Sequence, residues 1–203
     1  MTISVIGLNH KSANIDIRGK FSFTADSASL LLRRIKKVRD IHEVIVVSTC
    51  NRTEIYCEST NGADDIKNWL LAEKEYKSLA KHLYIHQEED AIEHLFKVVA
   101  GLDSMVIGES EVLGQVKTAY KTALENKSID GKLKRLFEYS FSVAKNVRTN
   151  TDIGGNAISF MYTSILLIKK IFSTVEEKKC LLIGAGEMTE LALKYLKSNN
   201  VNE

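Results

Sequence analysis

The sequence contains no proline at all. Helix starts must therefore rest on side-chain caps, and turns on Gly, Asn, Asp and Ser. Cysteine is scarce: three residues, an odd number, argue against a disulfide framework and fit a reducing compartment. No long uncharged apolar run occurs, and Met1-Thr2-Ile3-Ser4-Val5 has no basic segment leading into an apolar signal region, so the expectation is a cytoplasmic protein. Excess charge is also missing. With 28 Lys and Arg against 26 Asp and Glu the net charge is +2, so any contact with RNA must come from a local patch. What is present is ordinary for a globular chain: 44% hydrophobic and 27% charged residues over 203 positions, enough for one large domain or one domain plus part of another.

The chemistry concentrates at Ser48-Thr49-Cys50-Asn51-Arg52. The run Val44-Ile45-Val46-Val47 before it is short, β-branched and continuous, the pattern of a strand buried on both faces. After it, Arg52 to Glu58 alternates, with Thr53, Ile55 and Cys57 on one face and charged or polar groups on the other, which predicts a half-buried strand. Cys50 thus falls at a sheet's end, where a thiol can meet a ligand. Taken alone, a free cysteine is more often a small buried hydrophobe, and Cys57 and Cys180, in apolar strand patterns, are read as core. Arg52 could favour the Cys50 thiolate or grip a substrate carboxylate through its planar fork.

Along the chain, Ser4 to Leu8 reads as a first strand ending in Asn9-His10-Lys11-Ser12; His10 is either a catalytic partner or part of a polar loop. A helix is predicted from Asp26 to about Val38, with Leu30, Leu31, Ile35 and Val38 on its apolar stripe. Another follows from Gly62 to about Glu73, then a short strand at Leu83-Tyr84-Ile85. Asp90 to Ala100 is a clear amphipathic helix with His94 at the stripe's border, a position that by itself suits a structural histidine. It stops at Gly101. A Gly-punctuated segment leads to Ser110 and Glu111, the expected cap and first turn of the next helix, with Gln115 one turn in. Gly131 opens a further helix with Lys132, Lys134 and Arg135 on its exposed side. Ile158 to Phe172 is strongly apolar. Lys179 to Ile183 then reads as a strand running into Gly184-Ala185-Gly186-Glu187-Met188-Thr189 and a helix through Leu196, the opening of a dinucleotide-binding βα unit with Thr189 in place of the third glycine.

Taken together these pieces resemble the glutamyl-tRNA reductase family. The resemblance rests on Gly7 to Ser12, on Ser48 to Tyr56, and on the run from His94-Leu95-Phe96 through Gly101-Leu102-Asp103-Ser104 to Gly114-Gln115-Val116-Lys117. Leu182 to Met188 also looks like the family's nucleotide-binding start. It implies an NADPH-dependent enzyme reducing glutamyl-tRNA to glutamate-1-semialdehyde, the entry to tetrapyrrole synthesis. By the same resemblance Cys50 is the nucleophile and His94 a residue needed for activity. Thr49, Asn51, Arg52, Ser104, Glu109, Ser110, Glu111 and Gln115 line the glutamate pocket, with Arg52 on the substrate's side-chain carboxylate. Gly184, Ala185, Gly186, Glu187, Met188 and Thr189 form the cofactor loop. The implied partners are glutamyl-tRNA and glutamate-1-semialdehyde aminotransferase, and the full-length family is a homodimer.

The implied architecture is an α+β catalytic domain at 1–150, with a small mixed or antiparallel sheet under packed helices. A linker helix at 151–177 and the start of an NADPH-binding, Rossmann-type domain at 178–203 complete it. Two departures from the family pattern carry expectations. Where the family has Glu-Pro-Gln, this chain has Glu109-Ser110-Glu111, and Glu111 is expected to turn outward from an anionic substrate. The nucleotide domain is incomplete and the dimerisation region is absent, so the chain reads as truncated, limited to acylation and hydrolysis. The alternative is a non-catalytic paralogue that binds glutamyl-tRNA or a pathway partner.

Overall fold

The computed structural model describes residues 1–155, 160–172 and 178–199. The chain divides into two units, Met1–Gly155 and Asn156–Glu203. The first is built on an antiparallel sheet of order β2-β3-β1-β4, formed by β1 (Thr2–Asn9), β2 (Ile41–Ser48), β3 (Arg52–Ser59) and β4 (Tyr84–Gln87). Its helices are α1 (Ile15–Lys20), α2 (Ala25–Ile35), α3 (Ala63–Ala72), α4 (Glu88–Val99), α5 (Glu111–Glu125), α6 (Lys132–Asn150) and the short α7 (Asp152–Gly155). A 3-10 turn, Lys77–His82, precedes β4.

Without proline, side chains at the N-cap start α1 and α2, whereas α3 and α4 have no side-chain cap. Asn14 caps α1 by accepting the Ile17 N–H at 3.0 Å, and Thr24 caps α2 by accepting that of Ser27 at 3.3 Å. The longest helix among the described residues, α6, is capped from another element. Buried Glu43 of β2 accepts the N–H groups of Asp130 and Gly131, both at 2.7 Å, and of Leu133 at 2.8 Å, placing a carboxylate at the positive end of the helix dipole. Ser110 departs from expectation: it adopts helical backbone angles (φ −85°, ψ −19°) and makes no side-chain cap for α5. On α2 the buried stripe is Ala28, Leu31, Leu32 and Ile35, while Leu30 faces solvent.

The main difference lies at β3. Its predicted half-buried pattern is overturned, for all eight residues are buried. As a central strand between β2 and β1, β3 has both faces covered. The face bearing Arg52, Glu54, Tyr56 and Glu58 meets α4 through His94 and α6 through Phe137 and Lys132. Gly7, opposite Glu54 in the β1 register, leaves room for this: a Cβ there would lie 2.8 Å from the Glu54 side chain and 2.6 Å from Thr53 O.

The second unit holds α8 (Phe160–Ile171) and α9 (Glu187–Ser198). The strand expected at Lys179 to Ile183 is not formed; Leu181, Ile183 and Cys180 are exposed, which corrects the reading of Cys180 as core. The start of the apolar helix predicted from Ile158 lies outside the described residues. Among the described residues no helix is long and apolar enough to cross a membrane.

Candidate active site

Cys50 sits in the three-residue connection between β2 and β3, and its side chain is exposed. Thr49 builds that turn. Its N–H donates to Arg52 O at 2.8 Å, and its hydroxyl oxygen accepts the N–H groups of Asn51 (3.2 Å) and Arg52 (3.1 Å). Asn51 O in turn accepts the His10 N–H at 2.9 Å, tying the turn to the end of β1. The Thr49 hydroxyl and these backbone donors are therefore occupied in shaping the loop. The donor left beside the sulfur is the N–H of Cys50 itself, which favours the thiolate. A cleft lined by Ile15, Arg18, Gly19, Ser22, Thr49, Cys50, Arg52 and Thr53 opens on the thiol.

The electrostatics of the thiol differ from the sequence expectation. Burial against the cleft walls, followed by the charges of Glu109 and Glu111, pushes the Cys50 thiol up. The Arg52 guanidinium is held elsewhere. Its Nη1 donates to Glu54 Oε1 at 2.7 Å; Nη2 donates to Asp103 Oδ2 at 3.0 Å and to the Asp103 carbonyl. Arg52 is 2% exposed. The open carboxylate fork expected from sequence is thus already engaged, with only an edge on the cleft.

Glu54 is the centre of this cluster. Fully buried, its Oε1 accepts from Arg52, from His94 Nε2 (2.8 Å) and from the Tyr84 hydroxyl, and its Oε2 accepts from the Tyr56 hydroxyl at 2.7 Å. Burial alone would raise the Glu54 carboxyl, but the hydrogen bond from His94 and the charge of Arg52 outweigh it and hold the carboxyl far below the ordinary range. A carboxylate only accepts, so His94 must carry its proton on Nε2. The ring of His94 stacks on His86 with centroids 4.8 Å apart, and His86 is pushed down by burial and by His94. His94 therefore meets the site through Glu54 and Arg52.

Of the other expected residues, Ser104 and Glu109 are buried and Ser110 is exposed. Burial and the neighbouring Glu111 push the Glu109 carboxyl up. Glu111 is half-buried, and its charge adds to the upward push on both Cys50 and Glu109. Gly101, at φ +77°, allows this loop to close: a Cβ there would meet Glu109 O at 3.1 Å. Gln115 lines a different pocket, with Phe23, Thr24, Val46 and Ser48. Ser48 reaches back to the Cys50 cleft through its hydroxyl contact with Thr53 at 3.2 Å. The sequence reading did not single out Glu54, Asp103, Tyr84 or Arg18. The signal for Glu54 was present in its period-two spacing from Arg52. For Arg18, within its basic-flanked helical turn, no comparable signal existed.

In the second unit, Gly184 has φ +123°, and Gly186 O accepts the N–H groups of Thr189 (2.9 Å) and Glu190 (3.2 Å) at the start of α9. No side chain caps this end. The glycine turn thus leads into a helix N-terminus without a side-chain cap, but the strand that precedes such a turn in a dinucleotide-binding βα unit is not formed.

Comparison with known proteins identifies the family. Residues 6–151 match the family described as glutamyl-tRNA(Glu) reductase, N-terminal domain, and residues 166–203 match that described as shikimate/quinate 5-dehydrogenase. The glutamyl-tRNA reductase of Idiomarina loihiensis is 42% identical over 205 residues, covering 100% of this chain and 48% of that protein. That of Aliivibrio fischeri strain ES114 is 44% identical over 201 residues, covering 97% and 48%. The solved structure of glutamyl-tRNA reductase from Methanopyrus kandleri superposes with a TM-score of 0.64 at 26% identity, over 98% of this chain and 47% of that one. The chain spans about half the length of the curated relatives it matches. It belongs to the glutamyl-tRNA reductase family.

Proposed function

We propose that this chain carries the acylation half of a glutamyl-tRNA reductase, with Cys50 as nucleophile. The observation that supports it most is an exposed thiol on a turn fixed by Thr49, opening on a cleft that Arg18 and Arg52 help to line. The Cys50 sulfur attacks the ester carbonyl of glutamyl-tRNA. The bond to the 3′ oxygen of the tRNA breaks, the thiol proton leaves with that oxygen, and a thioester remains on Cys50. The Cys50 N–H faces the developing oxyanion. Because the thiol is pushed up, binding the substrate's α-ammonium near Glu109 and Glu111 would offset their charge and favour the thiolate just when it is needed.

For the substrate's side-chain carboxylate the cleft offers Arg18, whose Nε is buried without a partner, together with the cleft-side edge of Arg52. Asn51 and Thr49 act by holding the loop, and Ser104 by packing beside Glu109. His94 is a positioning residue, acting through Glu54 on Arg52. Bound NADPH, held at its pyrophosphate by Gly184 to Thr189, would supply a hydride that converts the thioester to glutamate-1-semialdehyde and frees the thiolate. An aminotransferase would consume that product, and a homodimer is the assembly this reading carries for the whole protein.

These 203 residues alone should acylate and then hydrolyse slowly, releasing glutamate and tRNA at a rate NADPH does not change, because a hydride donor must be positioned over the thioester to react. Mass spectrometry after mixing with fresh glutamyl-tRNA should find a glutamyl adduct on Cys50, absent in Cys50→Ser. Acylation of the Ser variant at the wild-type rate would remove Cys50 from the mechanism. Semialdehyde release by the purified chain would refute the restriction to hydrolysis. A wild-type chain that binds glutamyl-tRNA and never acylates would favour a binding module.

A further inference from the structure

Balanced overall charge leaves RNA contact to a local patch, and one lies between α5 and α6. Lys117 from α5, with Lys145 and Arg148 from α6, line an open groove of about 520 Å³. Its floor is apolar, made by Leu113 and Phe141, and its rim carries the hydroxyls of Ser142 and Thr149. Among the described residues no carboxylate lines it. Lys117 Nζ stands 5.8 Å from the centroid of the Phe141 ring, so a cation and an aromatic face already share the groove. On the neighbouring turns of α6, the Glu138 carboxylate is engaged by the Tyr120 hydroxyl at 2.6 Å.

The groove also adjoins the active-site loop. Arg148 Nη1 donates to Gly108 O at 3.1 Å and Glu109 O at 3.5 Å, and the Glu109 charge is felt by Cys50. The order in space is therefore groove, Glu109 loop, thiol.

We propose that this groove binds the single-stranded 3′ end of the substrate RNA, with phosphates on Lys117, Lys145 and Arg148 and a base on the Leu113–Phe141 floor. A separated pair of ammonium groups over an apolar floor matches a strand that alternates phosphate and base. A compact anion would gain nothing from the floor. The inference rests on the proposed function only for which RNA is bound.

The test measures binding by fluorescence anisotropy of an RNA duplex with a four-nucleotide single-stranded 3′ end, alongside a blunt duplex. The proteins compared are wild type, Lys117→Gln/Lys145→Gln, and a control, Lys74→Gln/Lys81→Gln, at exposed lysines between α3 and β4. Arg148 is left intact because it holds the Glu109 loop. The groove variant should bind the overhang RNA about tenfold or more weakly, and its salt slope should fall by roughly 1.4, about 0.7 for each single-strand phosphate that is no longer neutralised. The control should match wild type. Unchanged affinity, or an equal loss for the blunt duplex, would overturn the proposal. Acylation of Cys50 by a small glutamyl thioester, which carries no RNA, should be the same in wild type and groove variant; a loss there would also count against the groove as an RNA site. A wild-type chain that no donor acylates, yet that shows the predicted RNA binding, would instead refute the catalytic reading and leave the groove standing.

Discussion

Glu54→Gln changes one oxygen to nitrogen and should unfold much of what holds the site. Four donors converge on the wild-type carboxylate, which is fully buried. The Gln carbonyl can accept from two of them, and its amide presents two hydrogens to the rest. The larger loss is charge. Arg52, 2% exposed, would retain only Asp103, whose carboxylate is shared with Lys11. Removing one partner of a buried ion pair costs about 3–5 kcal/mol, because the other charge is left uncompensated. With a urea slope of roughly 2 kcal/mol/M, the midpoint should fall by about 2 M. The single Trp69, in α3, reports on the first unit alone, so its fluorescence isolates the relevant transition. Tyr56→Phe, which removes one donor and no charge, should cost less, about 2 kcal/mol.

The same residue sets an acid dependence. The folded-state carboxyl is held far below its unfolded value of about 4.3, chiefly because hydrogen bonding and the charge of Arg52 overcome burial. Its stabilisation is therefore present in full above pH ~4.3 and is lost as pH falls toward the folded value. The gap between wild type and Glu54→Gln should be constant from neutral pH down to about 5 and should narrow below about 4. A midpoint shift under about 0.5 M (about 1 kcal/mol by the same slope), or a gap that stays constant to about pH 3, would refute the network's role.

Glu109→Gln should make Cys50 more reactive: removing a carboxylate that pushes the thiol up raises the thiolate fraction, so iodoacetamide should alkylate Cys50 faster at about pH 7 in a Cys180→Ser background. An unchanged rate would show that Glu109 does not set the thiol's titration. Glu43→Ala removes the acceptor of three backbone N–H groups at the start of α6 and should cost about 3 kcal/mol, or roughly 10 °C in Tm. A loss below about 1 kcal/mol, read by Trp69 fluorescence, would mean that water or Asp130 replaces the cap.

What sequence could and could not show follows from which interactions are local. Alternation at 52–58 placed Arg52, Glu54, Tyr56 and Glu58 on one face, and that grouping is what the structure contains. Their burial was not legible, because a charged face reads as solvent-exposed unless its partners are known. Those partners, Tyr84, His94 and Asp103, lie 30, 40 and 51 residues along the chain from the groups they meet. The two-sided burial of Val44 to Val47, by contrast, needs no distant charge and was evident from β-branching alone.

The consequence for Arg52 changes how its substitution should be understood. Read from sequence, Arg52→Lys would be a recognition defect in a stable protein, since charge is kept and the fork is lost. In the structure the fork is a buried strut joining β3 to the Asp103 loop, with each terminal nitrogen already bound. A lysine ammonium is a point charge and cannot span Glu54 and Asp103 with the same geometry, so Arg52→Lys should cost stability whatever it does to the proposed recognition. The same strut begins one residue after Asn51, so its rigidity is transmitted directly to the turn that presents Cys50. The turn that presents an exposed thiol is thus anchored beside a charge cluster whose centre, Arg52 and Glu54, is buried.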